Sequence, residues 1–147
     1  MARVLKYWVH APDIPKQIGV INRYLRSSDL DLKLQHLVLL RVSQINKCAY
    51  CVDLHSREAL RDGEDIQRLN CLCVWRECDF FSEPEKAALD WAEALTELSD
   101  ERAIEAGHEA ASAYFGAKDL SDLTFLIATM NAWNRMGVGL GRSPEKQ

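Results

Sequence analysis

The chain of 147 residues lacks an apolar run of the length that a secretory signal or a membrane span needs. Its first sixteen residues, MARVLKYWVHAPDIPK, have charges scattered through them and no apolar run of about seven residues or more, so we expect no signal peptide. The most apolar stretch, residues 123–136, is shorter than the roughly twenty residues of a span and contains Thr, Asn and Arg. We therefore expect a cytoplasmic protein that has no membrane partner.

An excess of positive charge is also missing. Lys and Arg number 18 against 22 Asp and Glu, which gives a net charge of -4, and the basic residues form no cluster. A protein that binds the nucleic-acid backbone would show a basic patch, so nucleic acid is not an expected partner. No stretch rich in Pro, Gly or Ser divides the chain, and no internal repeat is visible. We expect residues 1–147 to form a single domain.

No stretch alternates apolar and polar residues over the length of a strand, whereas apolar residues recur at helical spacing nearly everywhere. The pair Ser82 and Glu85, with Pro84 between them, is typical of a capping box at the start of a helix. The sequence therefore predicts an all-α protein, whose last long helix ends at Gly137. The predicted helices begin at Asp13, at Ser28 or Asp29, at Asn46, at about Asp65, at Ser82, at Asp100 and at Asp119.

The five cysteines are an odd number in a chain for which we expect no secretory signal, so a disulfide framework is not expected. Cys71, Cys73 and Cys78 do not have a usual metal-binding spacing, and we interpret them as residues of the core or of a subunit interface. The other two cysteines, Cys48 and Cys51, form a C-x-x-C pair. We expect neither a resident metal nor another cofactor.

Cys48 and Cys51 stand at the start of a predicted helix, one turn apart, where they can close a disulfide. Free backbone N–H groups and the helix dipole favour a thiolate at this position. His55 follows Cys51 by four residues, so its imidazole shares a helix face with that sulfur and could accept a thiol proton. Cys48 gains more from the dipole and Cys51 gains the base, so the spacing leaves open which sulfur attacks a substrate.

Three other interpretations compete with a redox pair. The two cysteines and His55 could be packed in a core, because free Cys is among the most buried residue types. They could bind zinc, although no second pair of ligands stands at the spacing that a structural site needs. A thioredoxin-type site would require a strand before the motif and a βαβ context, and the sequence predicts neither.

The run HLVLLRVSQINKCAYCVDLHSREALRDG, residues 36–63, resembles the core motif of the alkylhydroperoxidase D family, within the carboxymuconolactone decarboxylase-like superfamily. The family pattern is roughly E-x11-C-x-x-C-x3-H, usually with S-x-x-N-x-C leading into the pair. Residues 75–98 and 125–141 also resemble segments of this family, so the resemblance covers most of the chain. The positions that match the motif are Ser43, Asn46, Cys48, Cys51 and His55.

The resemblance implies an all-helical bundle that assembles into dimers, trimers or hexamers. It implies a peroxidase that reduces an organic hydroperoxide, with an unidentified dithiol as reductant and a role in antioxidant defence. It assigns attack on the peroxide to Cys51, resolution to Cys48 and a proton relay to His55. Because decarboxylase relatives generally lack the C-x-x-C pair, its presence favours redox chemistry over lactone decarboxylation.

Two positions differ from the family pattern. His36 stands where the family has its relay glutamate, and Tyr50 stands where the best-studied type of member has a second histidine. His36 could pass a proton and is a candidate catalytic residue, or it could be a satisfied histidine on a buried helix face. The competing hypothesis is therefore a helical oligomer that senses redox state or binds a metal without efficient turnover.

Overall fold

Helices account for the regular structure of residues 4–146, the part of the chain that the computed structural model describes, and this part contains no strand. The all-α prediction is confirmed. A 3₁₀ helix, Leu72–Glu77, follows α5 directly. The α-helices are α1 (Tyr7–His10), α2 (Asp13–Arg26), α3 (Leu32–Ile45), α4 (Ala49–Arg61), α5 (Ile66–Cys71), α6 (Glu83–Glu97), α7 (Glu101–Ser112) and α8 (Ala117–Gly139).

Three helices begin at the caps that the sequence predicts. The Ser82 hydroxyl accepts from the Glu85 N–H at 3.4 Å, and the Glu85 carboxylate accepts from the Ser82 N–H at 2.7 Å, which completes the capping box. Asp65 and Asp100 likewise cap α5 and α7 with their carboxylates. The prediction for α3 was wrong, because Asp31 rather than Ser28 or Asp29 accepts the N–H of Leu34, at 3.0 Å.

Four further predictions need correction. Asn46 ends α3, and the helix after it is capped by Cys48 itself. The helix predicted from Asp65 to Arg76 breaks after Cys71 into the 3₁₀ helix, in which Val74 leaves helical geometry (φ -126°, ψ 31°). The last helix begins at Ala117, before the predicted Asp119, and continues past Gly137 to Gly139. Cys73 is exposed rather than part of the core, whereas Cys71 and Cys78 are half-buried.

The helix α3 lies at the centre of the fold and packs against α4, α6 and α8. It is buried on almost every side, as shown by Leu37, Val38 and Val42, which have no exposed surface. The helix α2 packs mainly on α8, and Leu25 is its buried residue, while Ile21 is 42% exposed. This arrangement places the end of α3, the start of α4 and the C-terminal part of α8 side by side.

The helices of residues 4–146 include none that is both long enough and apolar enough to cross a membrane.

Candidate active site

The turn between α3 and α4 carries the C-x-x-C pair. At the end of α3, the Cys48 N–H donates to the Ser43 carbonyl at 3.0 Å and the Lys47 N–H donates to the Gln44 carbonyl at 3.1 Å. This is the bond pattern of a Schellman motif, in which the residue at the position of Lys47 is usually glycine. Lys47 adopts a φ of 56°, in the left-handed region. The chain thus turns sharply just before Cys48.

A buried network of amides fixes this turn to α8. The Asn46 side-chain amide donates to the Asn131 and Asn134 side-chain oxygens at 2.9 and 3.0 Å. Asn134, which is fully buried, donates in turn to the Ser43 hydroxyl at 3.1 Å. Because buried polar groups are costly when unpaired, these bonds hold the turn in one position. Ser43 and Asn46 of the motif therefore hold the turn that carries the cysteines against α8.

Cys48 and Cys51 are joined by a disulfide, with their Cα atoms 5.3 Å apart, as their spacing predicts. The Cys48 sulfur also caps α4 by accepting from the Cys51 N–H at 3.4 Å. Opposite the pair, α8 presents Gly137. A Cβ at that position would lie 2.9 Å from the Cys48 sulfur and 3.7 Å from the Cys51 sulfur. The close approach of α8 to the disulfide thus depends on the absence of a side chain at Gly137.

A cavity of about 340 Å³ opens beside the disulfide between α2, α3, α4 and α8. Cys51 lines this cavity, and Cys48 does not. Both are buried, at 4% and 1% exposure, so only a molecule inside the cavity would meet a sulfur, and that sulfur would belong to Cys51. His55 and His36 line the same cavity. The structure therefore brings together all four residues predicted for the site, with Cys48 behind Cys51.

His55 is paired with a carboxylate. Its Nδ1 lies 3.1 Å from a Glu58 oxygen, and the hydrogen bond from His55 holds the pKa of Glu58 below its usual value. An ionised carboxylate can only accept, so Nδ1 carries a proton, and in the neutral imidazole the lone pair is on Nε2. No hydrogen bond joins His55 to Cys51 within residues 4–146, although both line the cavity. His55 and Glu58 thus form an imidazole–carboxylate pair on the cavity wall.

His36 belongs to a second pair of this kind. Its Nε2 lies 2.9 Å from an Asp62 oxygen, and Arg61 and Arg26 also bond to that carboxylate. Hydrogen bonds from Arg61, Arg26 and His36 hold the pKa of Asp62 well below its usual range, so Nε2 donates the proton. His36 is 1% exposed, and its Nδ1 has no partner within the described chain. A buried imidazole nitrogen thus remains available beside the cavity.

Tyr50, which stands where some family members have a second histidine, contacts Arg142. Its hydroxyl accepts from Arg142 at 2.6 Å, and the Arg142 guanidinium lies 3.7 Å from the centre of the Tyr50 ring. Tyr50 and Arg142 both line the cavity. Tyr50 therefore connects the residue next to Cys51 with the segment that follows α8.

Several residues of the site were not predicted from the sequence. Glu58 could have been found, because it follows His55 by three residues and shares its helix face. Asp62, Gly137 and Arg142 gave no such signal, since each reaches the site through tertiary packing. Among the described side chains, no group of three or more His, Cys, Asp or Glu could hold a metal ion.

The sequence is similar to the sequences of known proteins. The sequence model of the carboxymuconolactone decarboxylase family matches residues 12–94. The uncharacterised protein YdfG of Bacillus subtilis is 33% identical over 141 residues, which cover 96% of each chain.

Solved structures are similar as well. A protein of unknown function from Agrobacterium tumefaciens, described as a candidate antioxidant defence protein AhpD, is 34% identical with a TM-score of 0.91, over 99% of this chain and all of that one. A peroxidase-related protein with an AhpD core from Ralstonia eutropha shares the fold, with a TM-score of 0.79 at 21% identity, over 95% of this chain and 74% of that one.

Proposed function

This chain belongs to the carboxymuconolactone decarboxylase family, with an AhpD-like fold, and within that family we propose that it is a thiol-dependent reductase of organic hydroperoxides. The observation that carries the proposal is the position of the cysteine pair. Cys51 faces a cavity beside a carboxylate-paired histidine, and Cys48 lies directly behind it. A substrate in the cavity would therefore meet the attacking sulfur and the base together, with the resolving sulfur behind the attacking one.

The first half of the reaction oxidises Cys51. His55 takes the thiol proton, and the thiolate attacks the terminal oxygen of the hydroperoxide. An S–O bond forms, the O–O bond breaks, and the alkoxide leaves with the proton that His55 held, so that the products are an alcohol and a sulfenic acid at Cys51. Glu58 stabilises the imidazolium that exists between these steps.

The second half closes and reopens the disulfide. The Cys48 thiol attacks the sulfenic sulfur of Cys51, the S–S bond forms and water leaves. A dithiol from the cell then reduces the bond by thiol–disulfide exchange and becomes a disulfide itself. A reducing compartment such as the cytoplasm would supply such a dithiol.

We propose that His36 binds and orients the substrate and does not take the proton of the Cys51 thiol. With Nε2–H held by Asp62, its free Nδ1 can accept a hydrogen bond from the hydroperoxide O–H. This contact would orient the terminal oxygen toward Cys51. In this role an imidazole backed by a carboxylate takes the position of the family's relay glutamate.

A turnover assay tests the proposal directly. Purified protein is mixed with dithiothreitol and with hydrogen peroxide, tert-butyl hydroperoxide or cumene hydroperoxide, and the loss of peroxide is followed. We expect steady consumption by the wild type and by a Cys73→Ser control, and none above background by Cys51→Ser. If the wild type consumes no more peroxide than Cys51→Ser, the proposed function is wrong.

The same assay separates the competing hypothesis of a redox sensor, which His36 at the position of the relay glutamate keeps open. Without reductant, either kind of protein would consume about one equivalent of peroxide per chain as the disulfide closes. With dithiothreitol present, a sensor without efficient turnover would add few further equivalents. Many turnovers per chain would exclude a sensor without turnover.

A further inference from the structure

The cavity beside Cys51 combines apolar walls with a cation that has no acidic partner among residues 4–146. From these features we infer that it is a binding site for an apolar carboxylate, held at its acidic end by Arg142. The inference deepens the proposed function, on which it rests for one point: if the protein reduces hydroperoxides, those that carry a carboxylate are its preferred substrates. Binding of the carboxylate itself is a property of the cavity and can be measured without turnover.

The charge of the cavity wall differs from that of the whole protein. The chain has a net charge of -4, but the cavity is lined by three arginines, Arg23, Arg26 and Arg142, and by one acid, Glu58. Glu58 is paired with His55, and Arg26 is paired with Asp62. The surplus positive charge is therefore carried by Arg23 at the exposed rim and by Arg142. An anion in the cavity would be attracted rather than repelled.

Arg142 is held in place without being neutralised. Its guanidinium donates to the Tyr7 hydroxyl at 3.1 Å and to the Tyr50 hydroxyl at 2.6 Å. It also lies against the rings of Tyr50 and Trp8, at 3.7 and 4.9 Å from their centres. It forms no salt bridge within residues 4–146, and the two tyrosines use only two of its five N–H donors. The remaining fork can bind a carboxylate through parallel hydrogen bonds.

The rest of the cavity favours an apolar body over a compact polyanion. The volume of about 340 Å³ lies within the roughly 300–1,000 Å³ of small-molecule sites. A bare inorganic anion would leave the apolar walls unused, whereas an aliphatic or aromatic acid would cover them. The apolar side chains of the wall are Leu32, Leu39, Leu54, Leu126, Met130 and Trp133.

Calorimetric titration of the oxidised full-length protein tests the inference. The probes are octanoate, 1-octanol as its uncharged match, and inorganic phosphate. We expect octanoate to bind about tenfold to a hundredfold more tightly than octanol, as for a hydrogen bond to a charged group, and phosphate not to bind. Equal affinity for octanoate and octanol in the wild type would overturn the inference, and so would binding of phosphate in place of octanoate.

Variants assign the effect to one residue. Arg142→Gln should remove the preference for octanoate, Arg142→Lys should keep part of it, and Arg102→Gln, at an exposed site on α7, should leave it unchanged. Circular dichroism checks that the variants fold, because Arg142 also holds Tyr7 and Tyr50. A preference that survives in folded Arg142→Gln would overturn the assignment.

A kinetic comparison distinguishes this inference from the proposed function. The substrates are the hydroperoxide of a medium-chain fatty acid and its methyl ester. We expect kcat/KM to favour the acid by about tenfold or more in the wild type, and the two to become similar in Arg142→Gln. Equal rates for acid and ester would overturn the inference and leave the peroxidase intact. Octanoate binding that depends on Arg142, without reduction of either hydroperoxide, would support the anion site and contradict the proposed function.

Discussion

Two imidazole–carboxylate pairs face one cavity, but only the pair of His55 and Glu58 lies on the same helix as Cys51. We predict that His55→Ala lowers peroxidase activity by about 10²–10⁴-fold, the usual contribution of a general base, while the fold is kept. The pH midpoint for alkylation of reduced Cys51 should move toward that of free cysteine, about 8.5. Peptide mass mapping over a pH series measures this midpoint.

His36→Ala and Glu58→Gln are the matched comparisons for that prediction. His36→Ala should reduce activity but leave the alkylation midpoint of Cys51 in place, because His36 acts on the substrate. Glu58→Gln should move the midpoint less than His55→Ala, since the base remains and loses only its ionic partner. An unchanged midpoint in His55→Ala would mean that the start of α4 alone activates Cys51.

Gly137 gives a second prediction at a single position. Alanine is the better helix former, but its Cβ would lie 2.9 Å from the Cys48 sulfur. Overpacking of this kind usually costs about 1–3 kcal/mol, so we expect Gly137→Ala to lower the free energy of unfolding of the oxidised protein and to slow closure of the disulfide. Chemical denaturation and thiol titration measure the two effects.

Gly139→Ala is the control for Gly137→Ala. It lies two residues further along α8, and a Cβ there would meet no atom of the described chain within 4 Å, so we expect a neutral or slightly stabilising effect. Equal effects at the two glycines would show that helix propensity, and not contact with the disulfide, decides the outcome.

At the scale of single residues, the sequence predicted which side chains meet at the site better than it predicted which side chains support them. Cys48, Cys51 and His55 are related by local helical spacing, so their proximity could be derived. Asp62 meets His36 from another helix, and Arg142 reaches Tyr50 across 92 residues of chain. No local pattern records contacts of this range, which depend on how the helices pack.

At the scale of helices, Glu93 joins three elements. Its carboxylate accepts from Arg41 of α3 at 2.7 Å, from the Trp75 indole at 2.9 Å and from Arg76 at 2.6 Å. Burial raises the pKa of Glu93, but the hydrogen bonds from Trp75, Arg76 and Arg41 outweigh it, so that the pKa lies below its usual value. Such a carboxyl stabilises the fold above its unfolded pKa of about 4.3, and this contribution is lost as the pH falls through the folded value.

We therefore predict that Glu93→Gln lowers the free energy of unfolding at pH 7 by about 1–3 kcal/mol, and that the loss of stability in acid is smaller in the variant. Denaturant titrations between pH 3 and 7 measure both effects. Glu97→Gln, on the exposed end of the same helix, should change stability by no more than about 0.5 kcal/mol. Parallel acid profiles of wild type and Glu93→Gln would contradict the assignment.

The helices themselves were predictable where one cap residue stands alone. Ser82 and Asp65 each stand before an apolar pattern without an adjacent Ser, Thr, Asp or Asn, and each caps a helix. At α7 the cap is Asp100 and not the adjacent Ser99. Before α3, several residues that can cap follow one another, and burial of Leu30 moves the start to Asp31. The helix breaks at Val74, although no glycine or proline stands there. The sequence therefore contains no signal from which the 3₁₀ helix could be predicted.

For the whole molecule, we propose a homo-oligomer. Large apolar side chains remain exposed on α2 and α8, and α2 packs on α8. Light scattering at micromolar concentration should return a multiple of 16.7 kDa. Ile21→Asp or Phe125→Asp should shift the protein toward the monomer, and Val74→Asp, on the 3₁₀ helix, should not. A wild-type mass near 16.7 kDa would contradict the proposal. The exposed side chains concerned are Ile14, Val20, Ile21, Tyr24 and Phe125.

The shortness of the segment between Cys48 and Cys51 has a thermodynamic consequence. The bond joins residues only three positions apart, so it removes little freedom from the unfolded chain, equivalent to roughly 2 kcal/mol in the chain-entropy account. The turn is held independently by the Asn46 side chain. Most of the folding free energy is therefore the same whether the bond is open or closed. The cysteine pair is therefore suited to a reversible two-electron redox change, and its disulfide supplies only a small part of the free energy of folding.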